Sequence, residues 1–277
     1  MLWGGNAIVA KASAGLIGAV PITFYRWLLA SVLLAPFVIC AMVSQRTELL
    51  RHLPRLILLG FLGCALFPCL MYLAARDTSA VNIGIIQALT PLLALGIAQA
   101  WSRTAMTAAT ALGLVVSLLG VCLVVSHGDP AALLSRPLNR GDLLMLTATL
   151  CFALYSVLLE RWRSALPASV ELFVQSAAAT ILLAPLFALM PWQPAAPAAW
   201  SLIAYAGVLG SVVAPLLWIS GVAQIGPARA ITYFSLLPLV TAALAVVLLD
   251  EPLEAALVLG GLLVVGGVIL AERAAAR

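Results

Sequence analysis

Apolar stretches of about 20 residues, bounded by charges or by Pro/Gly clusters, recur along this chain and read as membrane-spanning helices. They fall at 1–14, 20–43, 54–75, 79–101, 106–126, 141–162, 167–190, 199–222, 228–249 and 253–272, so ten spans are expected. The first is short, and Leu2-Trp3 follow Met1 without a charged flank. The chain is therefore expected to begin partway through a helix, and that stretch lacks the basic start of a secretory signal. The residues that perturb helices then repeat. Gly60, Gly63, Pro68, Pro91, Gly113 and Gly120 return as Gly207, Gly210, Pro215, Pro238, Gly260 and Gly267, each 147 positions later. Leu33-Leu34-Ala35-Pro36 returns as Leu182-Leu183-Ala184-Pro185 at a shift of 149. Six matches at one offset imply two copies of one unit, 1–126 and 141–277, joined by the connection 127–140.

Five spans per copy is an odd number, which inserts the second copy upside down. Loop charges fit this. The connection after span 2 carries Arg46, Arg51 and Arg55, whereas its partner, Pro191 to Ala199, is uncharged. The connection after span 4 holds Arg103 and no acid, while its partner holds Asp250, Glu251 and Glu254 and no base. Opposite charge in matched loops is the expectation for inverted copies under the positive-inside rule. With both termini cytoplasmic, Arg46, Arg51, Arg55, Arg103, Arg161, Arg163, Arg229, Arg273 and Arg277 lie inside, against Lys11, Arg76, Arg136 and Arg140 outside.

Composition fixes the solvent. The hydrophobic fraction is 64% and the charged fraction 9%, with a mean hydropathy of +1.16, against roughly 25% charge in a soluble domain. A net charge of +4 is thus an orientation signal in short loops, and no nucleic-acid partner is expected. The partners expected are the lipid bilayer and a small-molecule substrate, and a monomer suffices for this reading. Cys40, Cys64, Cys69, Cys122 and Cys151 lie in or near apolar runs without metal-ligand spacing, so they read as packing residues. His52 and His127 sit in loops, and no phosphate-cradling glycine loop is present. No enzyme activity, metal or cofactor is expected.

Helix breakers inside spans carry the functional signal. Pro68, Pro91, Pro215 and Pro238 each remove a backbone hydrogen bond and kink spans 3, 4, 8 and 9. The freed carbonyls need partners in protein or in a water-filled cavity, so these paired kinks are expected to enclose a central pathway. Polar and aromatic residues at mid-span depth are its candidate lining: Trp3, Asn6, Tyr72, Asn82, Gln87, Tyr155, Trp218, Tyr233 and Ser235. Amides and phenols hydrogen-bond amino or carboxylate groups, and aromatic faces stack rings or attract ammonium groups. Arg26, one turn inside span 2, is expected to snorkel to the outer headgroups. All ten acids are placed at span ends or in loops, which disfavours a carboxylate relay at the midplane. The glycines of spans 5 and 10 read as scaffold or oligomer contacts. Trp101, Trp162, Trp192 and Trp200 read as interfacial anchors.

Trp3-Gly4-Gly5-Asn6, the mid-span prolines of spans 4 and 9, and the ending from Pro238 to Asp250-Glu251-Pro252 resemble the EamA branch of the drug/metabolite transporter superfamily. Within it the chain is similar to the YddG aromatic amino acid exporters of Gram-negative inner membranes. The resemblance implies an all-α, ten-helix carrier of two inverted five-helix repeats in the inner membrane, with residues 127–140 periplasmic. It implies outward movement of aromatic amino acids by alternating access, with spans 3, 4, 8 and 9 around the cavity. The family's first-copy counterpart of Glu251 is often acidic, whereas here it is Thr104. The sequence also leaves open an exporter of other metabolites or drugs, and a passive pore. Inversion itself is directly testable: cysteines replacing Arg51 and Glu254, in a background without the native thiols, should label from opposite faces of the membrane. Labelling of both from one face would end the inverted reading.

Overall fold

The structure, a computed structural model, describes residues 2–102, 107–126, 128–129, 139–190, 196–225, 237–252 and 254–275. Among them are helices and short connections and no strand. We label them α1 (Leu2–Ser13), α2 (Ala19–Ser44), α3 (Arg46–Ala74), α4 (Ala80–Ser102), α5 (Ala108–Val125), α6 (Arg140–Arg161) and α7 (Ala168–Leu189). Next come α8 (the continuous run Pro197–Ala204, Tyr205–Val213, Ala214–Ile225), α9 (Leu237–Leu249) and α10 (Ala255–Ala275). Helices α2 to α8 are long and apolar enough to cross a membrane, and Leu237–Leu249 and Ala255–Ala271 are shorter apolar helices. Phe37, Val43, Ile181 and Leu189 face outward, as expected where the surrounding solvent is hydrocarbon.

Prolines 68 and 215 each follow a stretch of π-helix, Gly60–Leu66 in α3 and Tyr205–Val213 in α8. A proline ring crowds the carbonyl four residues back, and the wider π turn gives that carbonyl room. Pro91 is handled differently. It withholds a hydrogen bond from the Gln87 carbonyl, helix α4 breaks at Ala88-Leu89, and Thr90 Oγ1 donates to that same carbonyl at 2.7 Å. Pro238 lies next to the first described residue of α9, Leu237.

The two π segments pack in mirrored ways. A Cβ on Gly60 would stand 2.6 Å from the carbonyl oxygen of Gln175 on α7, and one on Gly207 would stand 3.1 Å from that of Arg26 on α2. Gln175 and Arg26 are themselves related by the 149 shift. Each half thus presses its π segment onto the second helix of the other half. Helix directions follow from end contacts. Lys11, near the end of α1, donates Nζ to the carbonyls of Ala75 (3.2 Å) and Thr78 (2.7 Å). Gly141, at the start of α6, packs on the same turn, so α1 ends where its repeat mate α6 begins.

A glycine seam joins α5 to α10. A Cβ on Gly113 would lie 2.5 Å from the Gly267 carbonyl oxygen, and one on Gly120 would lie 2.6 Å from that of Gly260. Between them Ser117 Oγ donates to the Val264 carbonyl at 3.1 Å. As one helix ascends in number the other descends, so the two run antiparallel. The seam is a contact within one chain, which resolves the scaffold-or-oligomer alternative for these glycines in favour of scaffold.

Substituting Gly267→Val places a side chain against Ser117 and the Gly113 backbone, and should cost about 1–3 kcal/mol or more. Gly266→Ala, with nothing within 4 Å of its Cβ, should be nearly neutral. Thermal unfolding of the two purified variants in detergent separates these outcomes.

Candidate functional site

Where α1, α2, α3 and α8 meet, a polar cluster forms around Arg26. Its guanidinium donates from Nε (3.0 Å) and Nη2 (2.7 Å) to Ser211 Oγ. Nη1 reaches Tyr72 Oη at 3.4 Å and Asn6 Oδ1 at 3.5 Å. Ser211 in turn donates to the Ala206 carbonyl at 2.8 Å. That five-residue reach follows the π register of α8, which aims Ser211 inward. Trp3 joins the group by donating Nε1 to the Gly210 carbonyl at 3.2 Å, and its ring lies 5.8 Å from that of Trp218, centroid to centroid. The guanidinium also sits 5.0 Å from the Trp27 ring centre. The glycines of Trp3-Gly4-Gly5-Asn6 have a physical reason: a Cβ on Gly5 would collide with the Tyr205 hydroxyl.

Arg26 is 4% exposed, which corrects the expectation that it snorkels. Its stem does not run to an edge because neutral partners at Ser211, Tyr72 and Asn6 meet it inside. Among the described residues no carboxylate pairs with it. Insertion scales put an arginine at a helix centre at about 2.5–3.5 kcal/mol. Hydrogen bonds between helices in a membrane average about 0.6 kcal/mol, so four long or neutral contacts offset that cost only in part.

The mirrored position holds a second, uncharged cluster. Tyr155 donates its hydroxyl to Gln175 Oε1 at 3.0 Å, and its ring lies over the bare face of Gly63. Phe152 stacks on Tyr155 at 5.3 Å and meets Phe67 at 4.6 Å. Asn6 and Tyr155 correspond by the 149 shift, as do Arg26 and Gln175, and Ser211 corresponds to Cys64 by the 147 shift. The same architecture thus carries a cation in one half and an amide in the other.

A third cluster lies at the end of the bundle where α3 turns into α4. Asp142, fully buried, accepts through Oδ1 from Thr78 Oγ1 and from Asn82 Nδ2 at 3.2 Å. Asn139 Nδ2 donates to the Asp77 carbonyl at 2.7 Å. Glu251 reaches across from the other half, accepting from the backbone N–H groups of Ala80 (2.9 Å) and Val81 (3.2 Å). The Asp-Glu-Pro ending thereby acquires mechanical roles. Asp250 adopts the left-handed φ of 52° that ends α9, a conformation aspartate tolerates. Glu251 caps the first turn of α4, where free N–H groups and the helix dipole favour an anion. At the opposite end, the guanidinium of Arg161 covers the Trp101 ring at 4.7 Å and that of Arg55 lies 5.8 Å from the Trp162 ring.

The structure therefore brings Trp3, Asn6, Tyr72 and Trp218 together and places Tyr155 in the mirrored cluster. Asn82 lies in the first turn of α4, at the bundle end and not at mid-depth. Gln87 marks the α4 break. Tyr233 and Ser235 lie outside the described residues, as does Thr104. Ser211, Gln175 and the burial of Asp142 are not among the sequence expectations, and Arg26 is there only as a snorkelling residue. For Arg26, Ser211 and Gln175 the signal was present, since the two repeat shifts pair Arg26 with Gln175 and Ser211 with Cys64.

Comparison with known proteins gives these geometries a context. The model of the EamA-like transporter family matches residues 1–126 and 139–272. The uncharacterized transporter YyaM of Bacillus subtilis (strain 168) is 27% identical, covering 97% of this chain and 89% of its own. An uncharacterized transporter of Archaeoglobus fulgidus is 28% identical, covering 98% and 93%. One solved structure superposes with a TM-score of 0.67 at 20% identity, covering 100% of this chain and 94% of that one, a likeness of fold alone.

Removing the Glu251 cap should loosen the α3–α4 end. Glu251→Ala forfeits an anionic cap of about 1 kcal/mol. A cysteine placed at Thr78 should then react several-fold faster with a membrane-impermeant thiol reagent than it does with Glu251 intact. An unchanged rate would remove Glu251 from the latch.

Proposed function

Because the chain belongs to the EamA-like transporter family, we propose that it is a secondary carrier exporting aromatic amino acids, with other neutral amino acids as further candidates. In this reading it spans a bacterial inner membrane ten times as two inverted five-helix repeats, with both termini cytoplasmic. The single observation that carries the proposal is the pair of mirrored clusters between the halves. Each sets hydrogen-bonding groups beside aromatic faces: Arg26, Asn6 and Tyr72 with Trp3 and Trp218, and Gln175 with Tyr155 and Phe152. An amino acid needs both, polar partners for its backbone groups and a flat apolar surface for its ring.

Inverted copies give a natural mechanism, because exchanging the conformations of the two halves moves the opening from one face to the other. The opposed directions of α1 and α6, and the antiparallel seam of α5 and α10, support that reading. The α3–α4 end is held across the halves by Asp142 and Glu251, and within the first half by Lys11. We assign this end to the outer face, where it acts as the outer gate of a carrier resting with that side closed. The cytoplasmic end in this assignment carries the arginine–aromatic contacts of Arg161 on Trp101 and Arg55 near Trp162. Gln87, at the α4 break before Pro91, completes the pathway lining in this assignment, with Tyr233 and Ser235 as further candidates from the sequence.

Counterflow in proteoliposomes tests the proposal. Tyr155→Ala and Tyr72→Ala should each lower tryptophan exchange roughly 3- to 10-fold, the scale of one aromatic or polar contact. Wild-type exchange in correctly inserted variants would take these tyrosines out of the pathway. Equal exchange of tryptophan and threonine would remove the aromatic preference.

A further inference from the structure

We infer that Arg26 is the carboxylate-binding residue of the carrier, and that the anion it lacks among the described residues is supplied by the substrate itself. The inference rests on the carrier reading above and adds to it the chemistry that recognises one end of the substrate. Arg26 is buried, carries a guanidinium cation, and among the described residues is hydrogen-bonded only to neutral oxygens. Two of its donors converge on a single hydroxyl, Ser211 Oγ, and the other two contacts are long, at 3.4 and 3.5 Å. A guanidinium has five N–H groups in a planar fork that matches a carboxylate in bidentate fashion. A fork with two long contacts is therefore poised for an incoming carboxylate to take those contacts and share the short ones. The mirrored position, Gln175, is already bonded to Tyr155 and carries no charge, so a single carboxylate site is formed and not two. Trp3 and Trp218 lie beside it, where a ring attached to that carboxylate would rest.

Competition counterflow with purified, reconstituted protein tests this with tryptophan, tryptophanamide, tryptamine, indole-3-propionate, threonine and lactate as competitors. Tryptophan and indole-3-propionate should compete at least 10-fold better than tryptophanamide and tryptamine. Arg26→Gln should erase that ratio, and Arg26→Lys, which keeps the charge but not the fork, should leave part of it. If tryptamine or tryptophanamide competes as well as tryptophan, the Arg26 assignment falls while the aromatic reading stands. If threonine or lactate competes as well as tryptophan and the carboxylate ratio persists, the aromatic reading falls while Arg26 stands. Should Arg26→Gln fail to give monodisperse protein, the wild-type ranking alone decides. A wild-type panel in which no carboxylate exceeds its amide 10-fold overturns the inference.

Discussion

Two helices that touch backbone to backbone set the frame. In hydrocarbon no hydrophobic drive presses helices together, so close contact must come from shape and hydrogen bonding. Gly113, Gly120, Gly260 and Gly267 supply the shape, and Ser117 bonding to the Val264 carbonyl supplies a polar tie. Because the matched glycines meet in reverse order, the seam can close only between antiparallel helices. Helices α1 and α6 likewise meet end to start around Thr78, and the π segments of α3 and α8 interlock with α7 and α2.

That interlock explains why the polar clusters lie between the halves. A π turn offsets the side chains that follow it, and the glycines within it let a neighbouring backbone approach. In α8 these two effects direct Ser211 and the Gly210 carbonyl toward Arg26 and Trp3. In α3 the equivalent turn receives the Tyr155 ring. The site is thus a consequence of how the halves are packed. Any motion of one half against the other would have to remake its contacts.

Most helix positions are legible in the sequence because apolar length and Pro/Gly spacing are local signals. Helices α1, α2, α4 to α8 and α10 lie close to the predicted spans, α3 begins earlier at Arg46, and the first part of span 9 lies outside the described residues. What was not legible depended on partners distant in the chain. Arg26 was read as a snorkelling residue because its stem can reach an edge, yet its partners at Ser211 and Tyr72 keep it inside. Asp142 was placed at a span end correctly, but only folding reveals that Thr78 and Asn82 bury it there. Asn82 was assigned to mid-depth because it sits in an apolar run, and the turn before α4 places it at the bundle end. Trp101 and Trp162 were expected as belt anchors, and their rings also receive Arg161 and Arg55.

The departure from symmetry carries as much meaning as the symmetry. Duplicated halves would, unaltered, place like residues at positions 26 and 175. Two guanidiniums facing one interface in a poor dielectric would repel and double the desolvation cost. Glutamine keeps the hydrogen-bonding reach of that position without the charge, and the tyrosine at the Asn6-equivalent position satisfies it. Serine at 211 in place of the thiol at 64 gives the charged side a stronger acceptor. The pair of clusters therefore has a polar sense, cationic toward the first half and neutral toward the second. A ligand with one anionic end has a single preferred orientation between such halves. An exact twofold would offer it two equivalent orientations.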